Sequence, residues 1–450
     1  MLLERRTIEA LPRAVDDLDR GFANLPLFEA ADAGCDRIPE VLEEVARRLG
    51  DNYPYFHPLY AGQMLKPPHP VARAAYSLAT WINPNNHALD GGRASSAMEK
   101  EAVAALAAMF GWDLHLGHLT SGGTMANLEA LWVAGRLAPG RKILASEQAH
   151  YTHERISGVL QLPFEKLAVD AHGRIDAAAL EQRLEAGDAG CVVATLGTTG
   201  LGAVDPLPAI LRLRERYGFR IHVDAAYGGY FRLADNLAAE SRAAFDRIGE
   251  ADSIVIDPHK HGLQPYGCGC VLFRDPVVGS LYKHDSPYTY FSSRDLHLGE
   301  ISLECSRPGA AAVALWATQR LLPLVRGGEF ARGLEASRRA ALDLAGRLEA
   351  DGRFVVAMAP ELDIVVWAPR AQPAEAASAW SQRIFDEAAR RGLHLALTQM
   401  PARFFAGSWP ELQAGSGHLL CLRSVLMKPE HEAWVGKIAE IAGAAAEATR

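Results

Sequence analysis

The sequence predicts an α/β chain in which helices flank a mostly parallel central sheet and a small C-terminal α+β domain follows. Three observations predict it. Short, wholly apolar runs rich in Val and Ile recur between residues 142 and 273, the texture of strands covered on both faces. Helical stretches separate them, and this βαβ alternation is the signature of a doubly wound sheet. Beyond about residue 325 the texture changes to longer helical patterns interleaved with a few β-rich runs.

Taken in order, residues 1–75 read as an N-terminal segment, helical first and then loop-like around YPYFHPLYAGQMLKPPHP, where prolines and aromatics crowd together. This segment is expected to make dimer and pocket contacts. Residues 76–325 read as the large domain. Met98 to Phe110 places Val103, Leu106 and Phe110 at helical spacing. The strands KILAS at 142, CVVATLG at 191, RIHVDAA at 220, SIVID at 253 and CVLF at 270 follow. Asp205 to Tyr217 reads as a helix, with proline near its start and Gly218 just past its end. Residues 326–450 read as the small domain: a helix from Glu329, the strand LDIVVWAP at 362, a helix near 373–391 and the strand HLLCLRSVLM at 418. A last helix from about Pro429 carries Trp434, Ile438, Ile441 and Ala445 on one face.

Composition narrows the function classes. The chain has 450 residues, of which 49% are apolar and 22% charged, and a net charge of −8. That is ordinary globular composition with no basic footprint for nucleic acid. The opening residues mix both signs of charge and read as no signal peptide, and no apolar run is long enough to span a membrane, so a cytoplasmic enzyme is expected. The six cysteines form no CxxC pair and no metal-ligand spacing. HExxH, GxSxG, GxxxxGK[ST] and a helix-opening GxGxxG are absent, so no zincin, hydrolase, P-loop or dinucleotide chemistry is indicated.

One constellation dominates what remains. In IHVDAAYGGY an apolar strand ends in Asp224, and in IVIDPHK an apolar strand leads to Lys260. Ligand sites of open α/β sheets lie at the carboxyl ends of their strands, so both groups are expected in one crevice. A lysine opposite a carboxylate suits pyridoxal 5'-phosphate, whose aldehyde a lysine amine can hold and whose pyridine nitrogen needs an anionic partner to stay protonated. The glycine-rich turn LTSGGTMANL runs into a helix, where Gly122, Gly123 and Thr124 can present amides and a hydroxyl to the phosphate.

The segments TSGGTMANLEAL, SEQAHYTHERI, VATLGTTGLGAVDPL, HVDAAYGG and DPHKHG, in this order, resemble the group II pyridoxal-phosphate decarboxylases, which include the aromatic amino acid, glutamate, tyrosine, aspartate and diaminobutyrate decarboxylases. The similarity covers roughly residues 50 to 440. It implies the fold-type I architecture of aspartate aminotransferase and a homodimer with shared active sites. It implies that Lys260 holds the cofactor aldehyde, that Asp224 meets the ring nitrogen, and that Ala226 and His150 lie on the two ring faces, His150 also serving proton transfer. By the same resemblance Thr199 lies near the ring hydroxyl, Gly123 and Thr124 take the phosphate, and His259 stands close to it. Arg423 matches the small-domain arginine for the substrate carboxylate, which a guanidinium fork meets bidentately. Such a grip can set the breaking bond perpendicular to the ring plane. Residues 283–299 fall where relatives carry a loop over the neighbouring site; Tyr288 and Tyr290 are both candidates for its proton donor, with Phe291 beside them.

Two positions depart from the animal aromatic decarboxylases. His261 follows Lys260 where those enzymes have tryptophan, and Asp257, a candidate cofactor contact, stands where they have asparagine. The leading expectation is an L-amino acid decarboxylase. Tyr53, Tyr55, Phe56, His57 and Tyr60, with His57 as a candidate substrate contact, tilt it toward an aromatic or other bulky substrate over an acidic one. A carbon–carbon lyase resembling the sphingosine-phosphate lyases, an aldehyde-forming oxidative deaminase and a silent paralogue are the alternatives.

Overall fold

A computed structural model of the chain describes residues 5–28, 34–283, 296–413, 415 and 417–450. Four helices open it: α1 (Arg5–Arg20), α2 (Ile38–Leu49), α3 (Pro70–Thr80) and α4 (Arg93–Met109). The large sheet and its helices follow as β1 (Leu116–Thr120), α5 (Gly123–Leu137), β2 (Lys142–Ser146), α6 (Thr152–Val159), β3 (Phe164–Leu167), α7 (Ala177–Leu184), β4 (Ala189–Thr195) and α8 (Leu207–Tyr217). Then come β5 (Arg220–Asp224), α9 (Ala239–Asp246), β6 (Ser253–Ile256), β7 (Gly269–Phe273) and α10 (Gly309–Leu321). The C-terminal part comprises α11 (Glu329–Asp351), β8 (Phe354–Val356), β9 (Ile364–Pro369), α12 (Ala374–Arg390), β10 (Ala396–Pro401), β11 (His418–Val425) and α13 (His431–Ala448).

All five apolar runs anticipated as strands are strands of one seven-stranded sheet, ordered β1-β7-β6-β5-β4-β2-β3. Its pairs β2–β3, β2–β4, β4–β5 and β5–β6 are parallel. β7 alone runs antiparallel to its neighbours β6 and β1. The reason is local: the DPHKHG turn after β6 brings the chain straight back as β7, without a crossover helix. Both faces are covered. Val192, Ala194, Ile221, Val223 and Ile254 pack into the largest apolar cluster, while Ile143, Ala145, Val193, Val255 and Val271 face α5 and α6.

Two strands of this sheet escape the apolar-run pattern. β1 (LGHLT) carries a buried histidine and a glycine, and β3 (FEKL) is a half-exposed edge strand. The C-terminal sheet, ordered β10-β11-β9-β8, is wholly antiparallel and packs its outer face on α11, α12 and α13. Ile438, Ile441 and Ala445 are buried there as expected, while Trp434 meets His57 edge-on with ring centroids 4.9 Å apart. The aromatic segment at 53–60 thus packs on the small sheet's side: Tyr53 and Tyr60 also lie against His394.

Helices α1 and α2 bury no residue at all in the single chain. Among the described residues no helix is long and apolar enough to cross a membrane.

Candidate active site

The carboxyl ends of the parallel strands surround a cavity of about 300 Å³. Its walls include Gly122, Gly123 and Thr124 from the start of α5, His150 from the β2–α6 turn, Thr195 at the end of β4 and Thr199 after it. Asp224, Ala226 and Tyr227 come from the end of β5, and Asp257, His259 and Lys260 from the β6–β7 turn. Residues from five separate segments, spread in sequence from Ser121 to Lys260, therefore meet in one crevice. Strand alternation explains the selection within β5: His222 and Asp224 point to the α5 side, and Ile221 and Val223 to the opposite core.

Asp224 is buried, yet its carboxyl is held below the ordinary carboxylate range. Burial alone would raise it; the His153 hydrogen bond at 2.8 Å, the charge of that ring and the charge of Lys260 together outweigh burial. Asn127 Nδ2 adds a long contact of 3.4 Å to the same oxygen, Oδ2, and the Ala226 N–H donates to Oδ1 at 3.1 Å. On the other side of the crevice, Lys260 Nζ lies 3.0 Å from Asp257 Oδ2, and His259 Nε2 lies 3.5 Å from the same oxygen. The His259 ring stacks on Tyr266 with centroids 4.7 Å apart, and burial pushes its pKa down. His150 is lowered for the same reason; its Nδ1 lies 2.8 Å from Thr152 Oγ1.

The start of α5 is built to receive an anion. No side chain caps it and its first turn contains no acidic residue, so backbone N–H groups and the positive end of the helix remain available. Gly122 there has φ of +154°, which disfavours a side chain, and a Cβ on Gly123 would stand 2.6 Å from Asp257 Oδ2. Only glycine lets the helix end approach the Lys260 turn this closely.

The structure thus brings together Gly122, Gly123, Thr124, His150, Thr199, Asp224, Ala226, Asp257, His259 and Lys260. It does not bring His57 to the cavity: that ring is held by Trp434 and by the Leu59 N–H, which donates to its Nδ1 at 3.1 Å. Within one chain the proline-rich segment packs His57 on α13, away from this cavity. Arg423 is also not a wall residue. It lies buried in β11, where Nε and Nη2 have no hydrogen-bond partner among the described residues, within electrostatic reach of Tyr227, Asp363 and Tyr60. Tyr288 and Tyr290 lie outside the described residues.

Sequence reading passed over His153, Asn127, His222 and Asp363, although its quoted segments contain all four. His153 follows His150 by three positions at a helix start, His222 precedes Asp224 by two on a strand, and each spacing places a side chain on the face already singled out.

The residues present fit pyridoxal phosphate. A buried anion, a lysine, an uncapped helix end and buried polar atoms without partners among the described residues (Thr195 Oγ1, Asp257 Oδ1 and His259 Nδ1) surround a single cavity.

Comparison with known proteins agrees. A family model described as the pyridoxal-dependent decarboxylase conserved domain matches residues 135–369. An L-tyrosine decarboxylase of Enterococcus faecium is 29% identical over 391 residues, covering 64% of this chain and 64% of that protein's length. An L-aspartate decarboxylase of Thermococcus kodakarensis is 31% identical over 281 residues, covering 62% of this chain and 71% of that protein. In fold the chain is similar to the crystal structure of mouse CSAD in apo form (TM-score 0.77, 20% identity, covering 98% and 99% of the two chains). It is equally similar to Oryza sativa TDC with PLP and tryptamine (TM-score 0.77, 18% identity, covering 99% and 98%).

Proposed function

The chain belongs to the pyridoxal-dependent decarboxylases, and we propose that it releases carbon dioxide from an L-amino acid to leave the amine. The observation that carries this reading is the pairing, around one cavity, of a buried ionised Asp224 with Lys260. Pyridoxal 5'-phosphate, when bound, supplies an electron sink for the bond that breaks.

The chain's own residues divide the remaining work. Lys260 Nζ would hold the cofactor aldehyde, and Asp257, 3.0 Å away, orients that amine. Asp224 would keep a proton on the ring nitrogen by a charge-assisted hydrogen bond. The N–H groups at Gly122–Thr124, with His259, would hold the phosphate, Thr199 the ring hydroxyl, and His150 and Ala226 the two ring faces. Arg423, with two guanidinium nitrogens that have no hydrogen-bond partner among the described residues, would take the substrate carboxylate. Tyr288 or Tyr290 would return a proton to the substrate carbon.

An aromatic or other bulky side chain is favoured over an acidic one. Relatives of both kinds are similar to the chain, and the support for this preference is the aromatic cluster of Tyr53, Tyr55 and Tyr60, whose rings pack on one another in the N-terminal segment. A homodimer is supported by α1 and α2, whose Ile8, Val41, Leu42, Val45 and Leu49 are exposed in the single chain. The thiols Cys191, Cys268, Cys270 and Cys421, buried without bridges, suit a reducing cytoplasm.

Carbon dioxide release from a panel of aromatic, acidic and aliphatic L-amino acids, with mass spectrometry of the products, tests the proposal. An amine from tyrosine, tryptophan or a comparable substrate is expected. Aldehyde formation without carbon dioxide, or no turnover of any amino acid, overturns it.

A further inference from the structure

Asp224 is held asymmetrically. Its Oδ2 takes His153 Nε2 at 2.8 Å and Asn127 Nδ2 at 3.4 Å, whereas among the described residues Oδ1 takes only the Ala226 N–H. Behind Asn127 the polar chain continues: Asn127 Oδ1 lies 2.8 Å from His222 Nε2, and His222 Nδ1 lies 2.9 Å from Ser253 Oγ. All five side chains belong to buried residues.

The directions of these bonds follow from charge. Burial pushes His222 down to about 3, so its imidazole is neutral and carries one N–H. An Asn127 amide turned the other way would set its oxygen against the Asp224 carboxylate inside the protein, two acceptors face to face. The amide gives Nδ2–H to Asp224, and its Oδ1 faces His222 Nε2, whose ring turns its other nitrogen to Ser253. His153 closes the other side: among the described residues its Nδ1 is buried without a partner, so the ring's hydrogen bonding there is spent on Asp224.

We propose that His153, backed by the Asn127–His222–Ser253 chain on the opposite flank, is the positioning residue that occupies Oδ2 of Asp224 and leaves Oδ1 as the oxygen that meets the cofactor's ring nitrogen. The inference rests on the reading of the cavity as a pyridoxal-phosphate site. A carboxylate saturated at one oxygen has one direction left in which to accept, so His153 sets both the charge and the aim of the group.

The test uses the purified holoenzyme and two variants. In His153→Gln the side-chain amide can reach the position of Nε2 and donate; in His153→Asn it stops short. The readouts are the visible absorbance of the bound cofactor against pH, without substrate, the dissociation constant for pyridoxal phosphate, and kcat and KM separately. His153→Asn is expected to move the midpoint of the spectral titration by about one pH unit or more. It should also weaken cofactor retention and lower kcat by about tenfold with KM little changed, while His153→Gln stays close to the parent. A parent-like midpoint in His153→Asn overturns the proposal, as do equal losses in both variants, which would assign the effect to ring packing. If His153→Asn does not fold, His222→Phe decides through the same midpoint, with a smaller shift in the same direction expected and no shift overturning. A parent protein without any Lys260-dependent cofactor absorbance sinks the functional reading itself; a parent with it and an insensitive His153→Asn sinks this inference alone.

Discussion

Asp363 Oδ1 accepts the hydroxyl of Tyr227 at 2.6 Å, although the two residues are 136 positions apart. Tyr227 lines the cavity and Asp363 begins the turn into β9, so one hydrogen bond ties the large sheet to the small one. The other oxygen of Asp363 lies 3.2 Å from Nε2 of His261, the residue after Lys260. Burial alone would raise the Asp363 carboxyl, but His261 and Tyr227 hold it low, so an anion sits locked between the two sheets.

Asp363→Asn should therefore loosen the small sheet against the cofactor turn. One buried acceptor becomes a donor, and an unfolding free energy lower by about 1–3 kcal/mol is expected in urea titration. KM should rise more than kcat falls, since Arg423 lies within electrostatic reach of the charge that is removed. A variant with the parent's midpoint and KM would show that the contact is idle.

Lys260→Ala should abolish the lysine-dependent visible absorbance and carbon dioxide release together, with the circular dichroism spectrum of the fold retained. A variant that keeps both colour and activity removes Lys260 from its role.

Asp224→Ala should leave the fold standing but cut kcat by about a hundredfold or more, the scale of losing one pre-organised charge partner. Near-parental rates would place the ring-nitrogen partner elsewhere.

Lys428 offers a pH test. It is buried, donates to the Tyr60 carbonyl at 2.6 Å and is lowered to about 7, chiefly by burial and then by Lys66. Its pKa is depressed on folding, so between about 7 and the ordinary lysine value the unfolded chain binds more protons and stability rises with pH. A gain on the order of 2 kcal/mol between pH 7 and 9 is expected for the parent, and it should shrink in Lys428→Met. An unchanged slope in that variant contradicts the assignment.

Val45→Glu on the exposed apolar face of α2 should convert a dimer to monomers in light scattering, because a carboxylate there has no buried partner. A monomeric parent would refute the proposed assembly.

By itself the sequence determined the parts of this protein that local patterns encode. Wholly apolar runs marked β2, β4, β5, β6 and β7, a strand ending in Asp224 and another leading to Lys260 placed both groups in one crevice, and the SGG turn announced the uncapped start of α5. These features were legible because strand period, helix period and glycine geometry act over a few residues. Tertiary structure decided what depends on remote partners. The polar β1 and short β8 became strands only through their neighbours in the sheets. His57 was drawn to Trp434 and away from the cavity. His153 found Asp224 across 71 residues, and Asp363 found Tyr227 and His261. A buried polar group must be matched by whichever donor the packing delivers, and periodicity reports the face a side chain takes but not the chain segment that comes to meet it.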